Sequence, residues 1–116
     1  MTQTCSTPAQ DALTKRDILA YEQLLCSDMA RILQFEAHAL YFPRAEEVPS
    51  PVWIGGESRL LLPLRRGGVF LGVLLLRGVE PDAAERLLPH ISAIVELCLD
   101  NIAQHKRARS DALTGL

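Results

Sequence analysis

Hydrophobic residues recur along the chain at two different spacings, and the predicted elements change where the spacing changes. Up to residue 33 they recur every three to five positions, which keeps them on one side of a helix. Those positions are Leu13, Ile18, Tyr21, Leu25, Met29 and Ile32, and the stripe is widened by Leu24 and Leu33. Thr7 suits an N-cap, with Pro8 at the first helical position and Gln10 completing a capping box. The pattern predicts one helix over residues 8–33.

A strand pattern follows this helix. In residues 35–42 the side chains alternate between two faces, which is typical of a strand, and Pro43 ends the strand. One face would carry Phe35, Ala37, Ala39 and Tyr41, and the other Glu36, His38, Leu40 and Phe42. A polar loop with several prolines occupies residues 44–51. Residues 52–54 then predict a short strand, and Gly55 with its neighbouring glycine predicts a turn.

The clearest sheet signal is the leucine-rich segment 59–77. Arg65-Arg66-Gly67-Gly68 interrupts it with two glycines that can adopt positive φ, which predicts a hairpin turn. The strand after the turn is apolar on both faces and is therefore expected in the middle of a sheet. Gly72 within it predicts a bulge or a close approach of another segment.

The last third of the chain has the pattern of a long helix that begins near Pro81 and continues to about Arg109. Pro89 predicts a kink, or a short helix ending near Leu88. One apolar stripe has heptad spacing and predicts a dimer seam; it consists of Leu88, Ile91, Val95, Cys98 and Ile102. A second stripe would then cover the sheet, and it consists of Leu87, Ile94 and Leu97. The alternative is that both stripes form one broad surface facing the core.

Composition narrows the function classes. The chain of 116 residues fits one small domain, and 48% hydrophobic with 22% charged residues is typical of a globular protein. A formal net charge of -2 argues against nucleic acid or an anionic membrane as the main partner. No apolar run is long enough to span a bilayer, and the N-terminus lacks the features of a signal peptide. Three widely separated cysteines indicate a reducing cytoplasm.

Few residues of the sequence suggest a catalytic, metal-binding or ligand-binding site. No arrangement of serine, histidine and aspartate is supported by its spacing, and no phosphate loop or metal-ligand grouping is present, so we expect no catalytic residue, metal or cofactor. The candidate lining of a ligand pocket is His38, Tyr41 and Trp53, although a lone histidine on a strand is more often a half-buried polar residue. Cys26 is expected to act as a small hydrophobe.

The final six residues carry a motif. Asp111, Leu113, Thr114, Gly115 and Leu116 stand in the order Asp-Ala-Leu-Thr-Gly-Leu, directly after the long helix. This resembles the Asp-x-Leu-Thr-Gly-Leu sequence with which GGDEF domains begin, the catalytic domains of diguanylate cyclases. The alternative is an ordinary helix C-terminus with Gly115 as its left-handed cap. The resemblance implies that a truncated GGDEF domain starts at residues 111–116.

The preceding elements resemble a GAF sensor domain, with a PAS domain as the close alternative. The resemblance covers about residues 8–105 and is carried by the segment from Leu60 to Leu76, two strands joined by a polar turn, with a Gly-x-Leu step before the exit helix. It implies an α+β fold with an antiparallel sheet between N- and C-terminal helices. Ligand-binding members place helices and loops between the middle strands, whereas only Gly55 to Ser58 stand there in this chain. The usual pocket is therefore expected to be missing.

Together these resemblances predict a cytoplasmic module with a disordered N-terminus (1–7), a GAF-like regulatory domain (8–88), a signalling or coiled-coil helix (89–110) and the start of a GGDEF domain. We expect a homodimer that controls a covalently linked diguanylate cyclase, and a fragment that is not itself an enzyme. The alternatives are a small-molecule sensor and a stand-alone dimeric interaction protein.

Overall fold

The protein has an α+β fold in which helices cover one face of an antiparallel sheet of four strands. A computed structural model describes residues 12–114. The strands are β1 (Ala37–Tyr41), β2 (Val52–Ile54), β3 (Arg59–Arg66) and β4 (Val69–Arg77), and their order across the sheet is β1-β4-β3-β2. The predicted class is confirmed, and β4 lies inside the sheet, as its two apolar faces predict.

The hairpin between β3 and β4 has the predicted two-residue turn. Gly67 and Gly68 have φ values of 60° and 81°. Positive φ at both positions matches the right-handed twist of the flanking strands, and glycine adopts it without a steric penalty. A bulge shifts the register between Leu64 and Arg65, opposite Gly72. The irregularity expected from Gly72 is therefore confirmed.

Between Lys15 and Ala30 the chain forms two short helices, so the prediction of one continuous helix is wrong. They are α1 (Lys15–Ala20) and α2 (Glu22–Ala30), and Tyr21 between them has φ -109° and ψ 25°, outside the helical region. Helix α1 begins after Thr14, whose hydroxyl accepts a hydrogen bond from the Asp17 N–H at 3.2 Å. The Asp17 carboxylate accepts one from the Thr14 N–H at 2.9 Å. This capping box fixes the start of the helix.

Several predictions for the N-terminal part lie outside the described residues, namely the cap at Thr7 and the disordered segment 1–7. Within the described part, Ile18, Leu25 and Met29 are buried as expected. Ile32 was expected on the same apolar side, but it is 43% exposed. Its place is taken by the buried Leu33, because the helix has already ended at Ala30.

The C-terminal part is interrupted where Pro89 predicts it. Helix α3 (Pro81–Leu87) is followed by a single 3₁₀ turn (Leu88–His90) and then by the long α4 (Ile91–Thr114). Proline cannot donate the backbone hydrogen bond that a continuous α-helix would need at this point. Helix α4 extends beyond the end expected near Arg109 and includes Asp111 to Thr114.

The core lies between one face of the sheet and the helices. Alternate residues of β3 and β4 point into it, and the most deeply buried are Leu60, Leu62, Leu64, Leu74 and Leu76. From the helices they meet Leu25, Met29, Ile91, Leu99 and Ile102. Burial of these side chains provides the main stabilisation of the fold, at about 1.5–3 kcal/mol for each fully buried large aliphatic side chain.

The two apolar stripes of the C-terminal segment, which run from Leu87 and Leu88 into α4, have the opposite placement from the one expected. Four of the five predicted seam residues, Ile91, Val95, Cys98 and Ile102, are buried in the core of the protomer itself, and Leu88 is half-buried. In the second stripe Leu87 and Ile94 are half-buried and Leu97 is 67% exposed. The first stripe packs under the sheet because Leu99 and Ala103 extend it into a broad buried face. It is therefore not available as a dimer seam.

Candidate functional site

The three residues predicted to line a pocket do not come together. In the strand register His38, Leu76, Leu60 and Trp53 are aligned across the sheet. Side chains at aligned positions share a face, which here is the face that carries the helices. Tyr41 is three residues beyond His38 and so lies on the opposite face, because side chains alternate along a strand.

His38 and Trp53 have structural roles. The His38 Nε2 lies 2.6 Å from the Glu22 Oε2, which joins β1 to the first residue of α2. Trp53 is half-buried and packs against the core cluster. The interpretation of His38 as a half-buried polar residue is the one that fits its contacts.

A cavity lies on the outer face of the sheet, beneath the loop between β1 and β2. Its volume is about 410 Å³, and most of its lining is apolar. The strands contribute Tyr41, Leu61 and Val73, and the loop contributes Phe42, Pro43, Glu47 and Val48. Of the predicted lining only Tyr41 contributes to this cavity. Its cover is the loop between β1 and β2 and not the segment from Gly55 to Ser58, where the usual pocket of the family was expected to be missing.

Arg65 holds that loop to the sheet. Its guanidinium forms an ion pair with Glu46 and donates a hydrogen bond to the Pro49 carbonyl oxygen at 3.2 Å. Two attachment points in a loop without regular secondary structure restrict its opening. The loop prolines and the two arginines at the end of β3 were visible in the sequence, but the pairing of Arg65 with the loop was not.

The cavity has few polar groups. The Tyr41 hydroxyl and the exposed Glu47 carboxylate are the polar side-chain groups of the lining, and the remaining side chains are apolar. Among residues 12–114, no group of three histidine, cysteine or acidic side chains is placed to hold a metal ion. The arrangement suits binding of a small apolar molecule more than bond-breaking chemistry.

The described thiols are poor nucleophiles. Burial raises the pKa of Cys98 to about 11, with a contribution from the charge of Asp28, and the Cys98 Sγ lies 3.8 Å from the Met29 Sδ. Burial also raises the pKa of Cys26 to about 11, assisted by Glu22. Because the thiolate is the reactive form, both residues act as small hydrophobic side chains.

Two hydrogen bonds join helix α4 to the hairpin turn between β3 and β4. The Gly67 N–H donates to the Glu96 carboxylate at 3.3 Å, and the Arg66 Nε donates to the Asp100 Oδ1 at 2.8 Å. Both acidic residues lie on the side of α4 that faces the turn. The two hydrogen bonds join the hairpin turn to two successive turns of this helix.

Closer to its C-terminus, helix α4 forms hydrogen bonds with α2 and α1. The Asn101 Nδ2 donates to the Asp28 Oδ2 of α2 at 2.8 Å. The Lys106 Nζ donates to the Asp17 Oδ2 of α1 and to the Ala12 carbonyl oxygen, both at 2.9 Å. From Lys106 the helix continues to Thr114.

Comparisons of the chain with family models, curated proteins and solved structures give no match. In the part of the chain from Ala12 to Thr114, no helix is both long enough and apolar enough to cross a membrane.

Proposed function

We propose that this chain is a GAF-like regulatory and dimerisation domain that controls a covalently linked diguanylate cyclase through α4. In this proposal the chain itself catalyses nothing and works in the cytoplasm as a homodimer. The cyclic di-GMP would be made by the linked domains, which the resemblance of residues 111–116 implies.

The main support for the proposal is the path of α4 through the domain. One uninterrupted helix contacts the hairpin turn through Glu96 and Asp100, and α1 through Lys106. It then includes Asp111 to Thr114, the first residues of the GGDEF-like motif. A rigid helix with this placement can transmit a change in the sheet to whatever follows the motif.

The proposed mechanism is a shift in the relative position of two exit helices. The family resemblance implies that two GGDEF domains, each with one GTP, must face each other to form cyclic di-GMP. Because α4 is held by ion pairs at both the hairpin and α1, a change in either contact would alter the direction in which it leaves the domain. That change would favour or oppose the facing arrangement.

The first test is the reading frame beyond Leu116. The proposal expects a catalytic domain that carries the Gly-Gly-Asp-Glu-Phe signature. A stop codon directly after Leu116 would contradict the cyclase assignment and favour a stand-alone interaction protein.

The second test measures regulation. This chain is joined through Leu116 to the GGDEF domain that its own gene encodes, and cyclic di-GMP formation from GTP is measured with and without the chain. We expect a several-fold difference, and a changed rate in Lys106→Met, because this substitution releases α4 from α1. Glu57→Gln is the control, since Glu57 pairs only locally with Arg59 at 3.2 Å. Equal rates in all forms would contradict control through α4.

The cavity under the β1–β2 loop favours a second candidate function, the sensing of a small apolar molecule. Its volume of about 410 Å³ falls in the range of small-molecule sites. Tyr41 offers a hydroxyl group and Glu47 a carboxylate at an otherwise apolar wall. These two groups would orient a ligand that carries a hydrogen-bond donor or a positive charge.

Native mass spectrometry of the purified chain tests this candidate, with Val48→Trp as the variant that fills the cavity. We expect a retained mass in the unmodified chain and its loss in the variant. Absence of any retained mass, together with no thermal shift across a metabolite panel, would contradict ligand sensing.

A further inference from the structure

An apolar groove lies between the end of α2 and the outer side of α4. Ile32 is 43% exposed and Leu97 is 67% exposed, and the half-buried Ile94 lies with them in a groove of about 260 Å³. Exposed apolar side chains scattered singly are normal, but these three share one concave surface. Such a surface is typical of a contact with another macromolecule.

The outer side of α4 carries its own heptad pattern, distinct from the buried stripe. Starting at the groove, its positions follow one another at steps of three, four, three and four residues: Ile94, Leu97, Asn101, Gln104 and Ala108. All five are exposed or half-buried. Alternation of three and four residues keeps the positions on one line along the helix, which is the seam geometry of a coiled coil.

The residue types in this line suit a pair of helices. Ile94 occupies a position of type a and Leu97 a position of type d, the combination that, in parallel coiled coils, favours two strands. Asn101 occupies the next a position, where a polar residue fixes register and limits the assembly to two chains. Its amide donates to Asp28 at 2.8 Å and has further hydrogen-bonding capacity for a partner.

The charges at the edge of the groove are self-complementary. Asp28 and Arg31 both line it and carry opposite charges. In a twofold contact a surface meets a copy of itself, so a surface with only one sign of charge would repel its partner. A surface with both signs can pair the arginine of one copy with the aspartate of the other.

From these observations we propose that the groove and the line Ile94-Leu97-Asn101 bind a second copy of this chain, with the two α4 helices parallel. This inference deepens the dimer of the proposed function and does not depend on the cyclase. In a parallel pair both α4 helices leave the dimer at the same end. Two domains attached after Leu116 would therefore start side by side.

Sedimentation of Leu97→Glu tests the interface. The unmodified chain should have the mass of two copies and Leu97→Glu the mass of one, because two carboxylates would meet across the axis. Leu19→Glu is the matched control, since Leu19 is 55% exposed on α1, away from the groove, and should leave the mass of two copies unchanged. Circular dichroism checks that each variant is folded. A single-copy mass for the unmodified chain, or for the control, would overturn the proposal, as would a two-copy mass for Leu97→Glu.

Cross-linking tests the orientation. In a parallel pair residue 108, about three turns beyond Leu97 on the same line, faces its own copy, so Ala108→Cys should form a disulfide-linked dimer on mild oxidation, whereas Leu19→Cys should not. In an antiparallel pair centred on the groove the two copies of residue 108 would lie at opposite ends of the contact, so an unlinked Ala108→Cys would overturn the parallel arrangement. The reading frame beyond Leu116 and the mass of Leu97→Glu separate the two proposals. A stop codon directly after Leu116 would contradict the cyclase assignment and leave this interface standing, whereas a two-copy mass for Leu97→Glu would overturn this interface and leave the dimer of the proposed function standing. A single-copy mass for the unmodified chain would overturn both.

Discussion

The Lys106 Nζ lies 2.9 Å from the Asp17 Oδ2, so that a residue late in α4 contacts the capping box of α1. Asp17 therefore has two functions, since it accepts hydrogen bonds from Thr14 and from Lys106. The contact joins two segments that are 89 residues apart in the chain. It makes the start of the first helix sensitive to the position of the last one.

The first prediction concerns the pH dependence of this contact. Partial burial raises the pKa of Asp17, but hydrogen bonds from Lys106 and Thr14 and the charge of Lys106 outweigh it, so the pKa is lowered from 3.8. A carboxyl whose pKa is lower in the folded state stabilises the fold above pH 3.8, and this contribution is lost as pH falls through the folded value. Asp17→Asn should therefore lower the free energy of unfolding at pH 7 by about 1 kcal/mol. Urea denaturation should show no difference at a pH well below 3.8.

Lys106→Met is the companion variant for the same measurement, because it removes the other partner and leaves the Thr14 cap intact. Its destabilisation should also shrink in acid. A loss of stability that is equal at both pH values would mean that the contact contributes through packing and not through charge.

The second prediction concerns Gly72. A Cβ at this position would lie 2.9 Å from Cδ1 of Phe42 and 3.0 Å from the Tyr41 carbonyl oxygen, in a backbone with φ 155°. Gly72→Ala should therefore destabilise the fold by roughly 1–3 kcal/mol. Gly56→Ala is the control, since nothing lies within 4 Å of its Cβ, and should change stability by less than about 0.5 kcal/mol. Similar urea midpoints for the two variants would contradict the close approach.

The third prediction concerns the loop that covers the cavity. Arg65→Gln removes the ion pair with Glu46 and should increase the rate of trypsin cleavage after the exposed Arg44 several-fold, because the loop opens more often. Arg59→Gln is the control on the same strand, since Arg59 pairs with Glu57 outside the loop. Equal cleavage rates in both variants would show that Arg65 does not hold the loop.

The local pattern of this sequence was sufficient to predict most of the fold. The hairpin at Gly67-Gly68, the interruption at Pro89 and the central position of β4 all depend on residues close together in sequence. The helix that begins at Lys15 was not predicted as a separate element, because its start signal, the capping box of Thr14 and Asp17, stands inside a longer periodic pattern that has a start signal of its own. Periodicity alone cannot rank two such signals.

The candidate site was harder to predict because it depends on which face each residue occupies. His38 and Tyr41 are three positions apart on one strand, so their opposite faces could have been recognised from the alternation alone. The sequence pattern alone could not show which of the two apolar stripes faces the sheet. Both have helical spacing, and only the contacts of Leu99 with the rest of the core decide which one faces the sheet.

The fourth prediction concerns the two described thiols, of which Cys98 is buried and Cys26 is half-buried. Because burial raises the pKa of Cys26 and Cys98 from 9.0 to about 11, both should react slowly with a thiol reagent at pH 8 in a Cys5→Ser variant. A thiol with a raised pKa contributes stability below pH 9.0, and this contribution is lost as pH rises towards 11. Labelling should become rapid in urea. Fast labelling of the folded protein would contradict the burial of Cys98.

The fifth prediction compares the two faces of α4 by changing one leucine on each face to alanine. Leu99 is fully buried, so Leu99→Ala should lower the free energy of unfolding by about 2–5 kcal/mol at any protein concentration. Leu97 is 67% exposed, so Leu97→Ala should cost less than about 1 kcal/mol in dilute protein. If Leu97 lies at the contact with a second copy, its cost should increase with protein concentration, because association stabilises the folded state. Denaturation at two concentrations measures both effects. A large cost for Leu97→Ala in dilute protein would place Leu97 in the core, and a small one for Leu99→Ala would reverse the assigned faces.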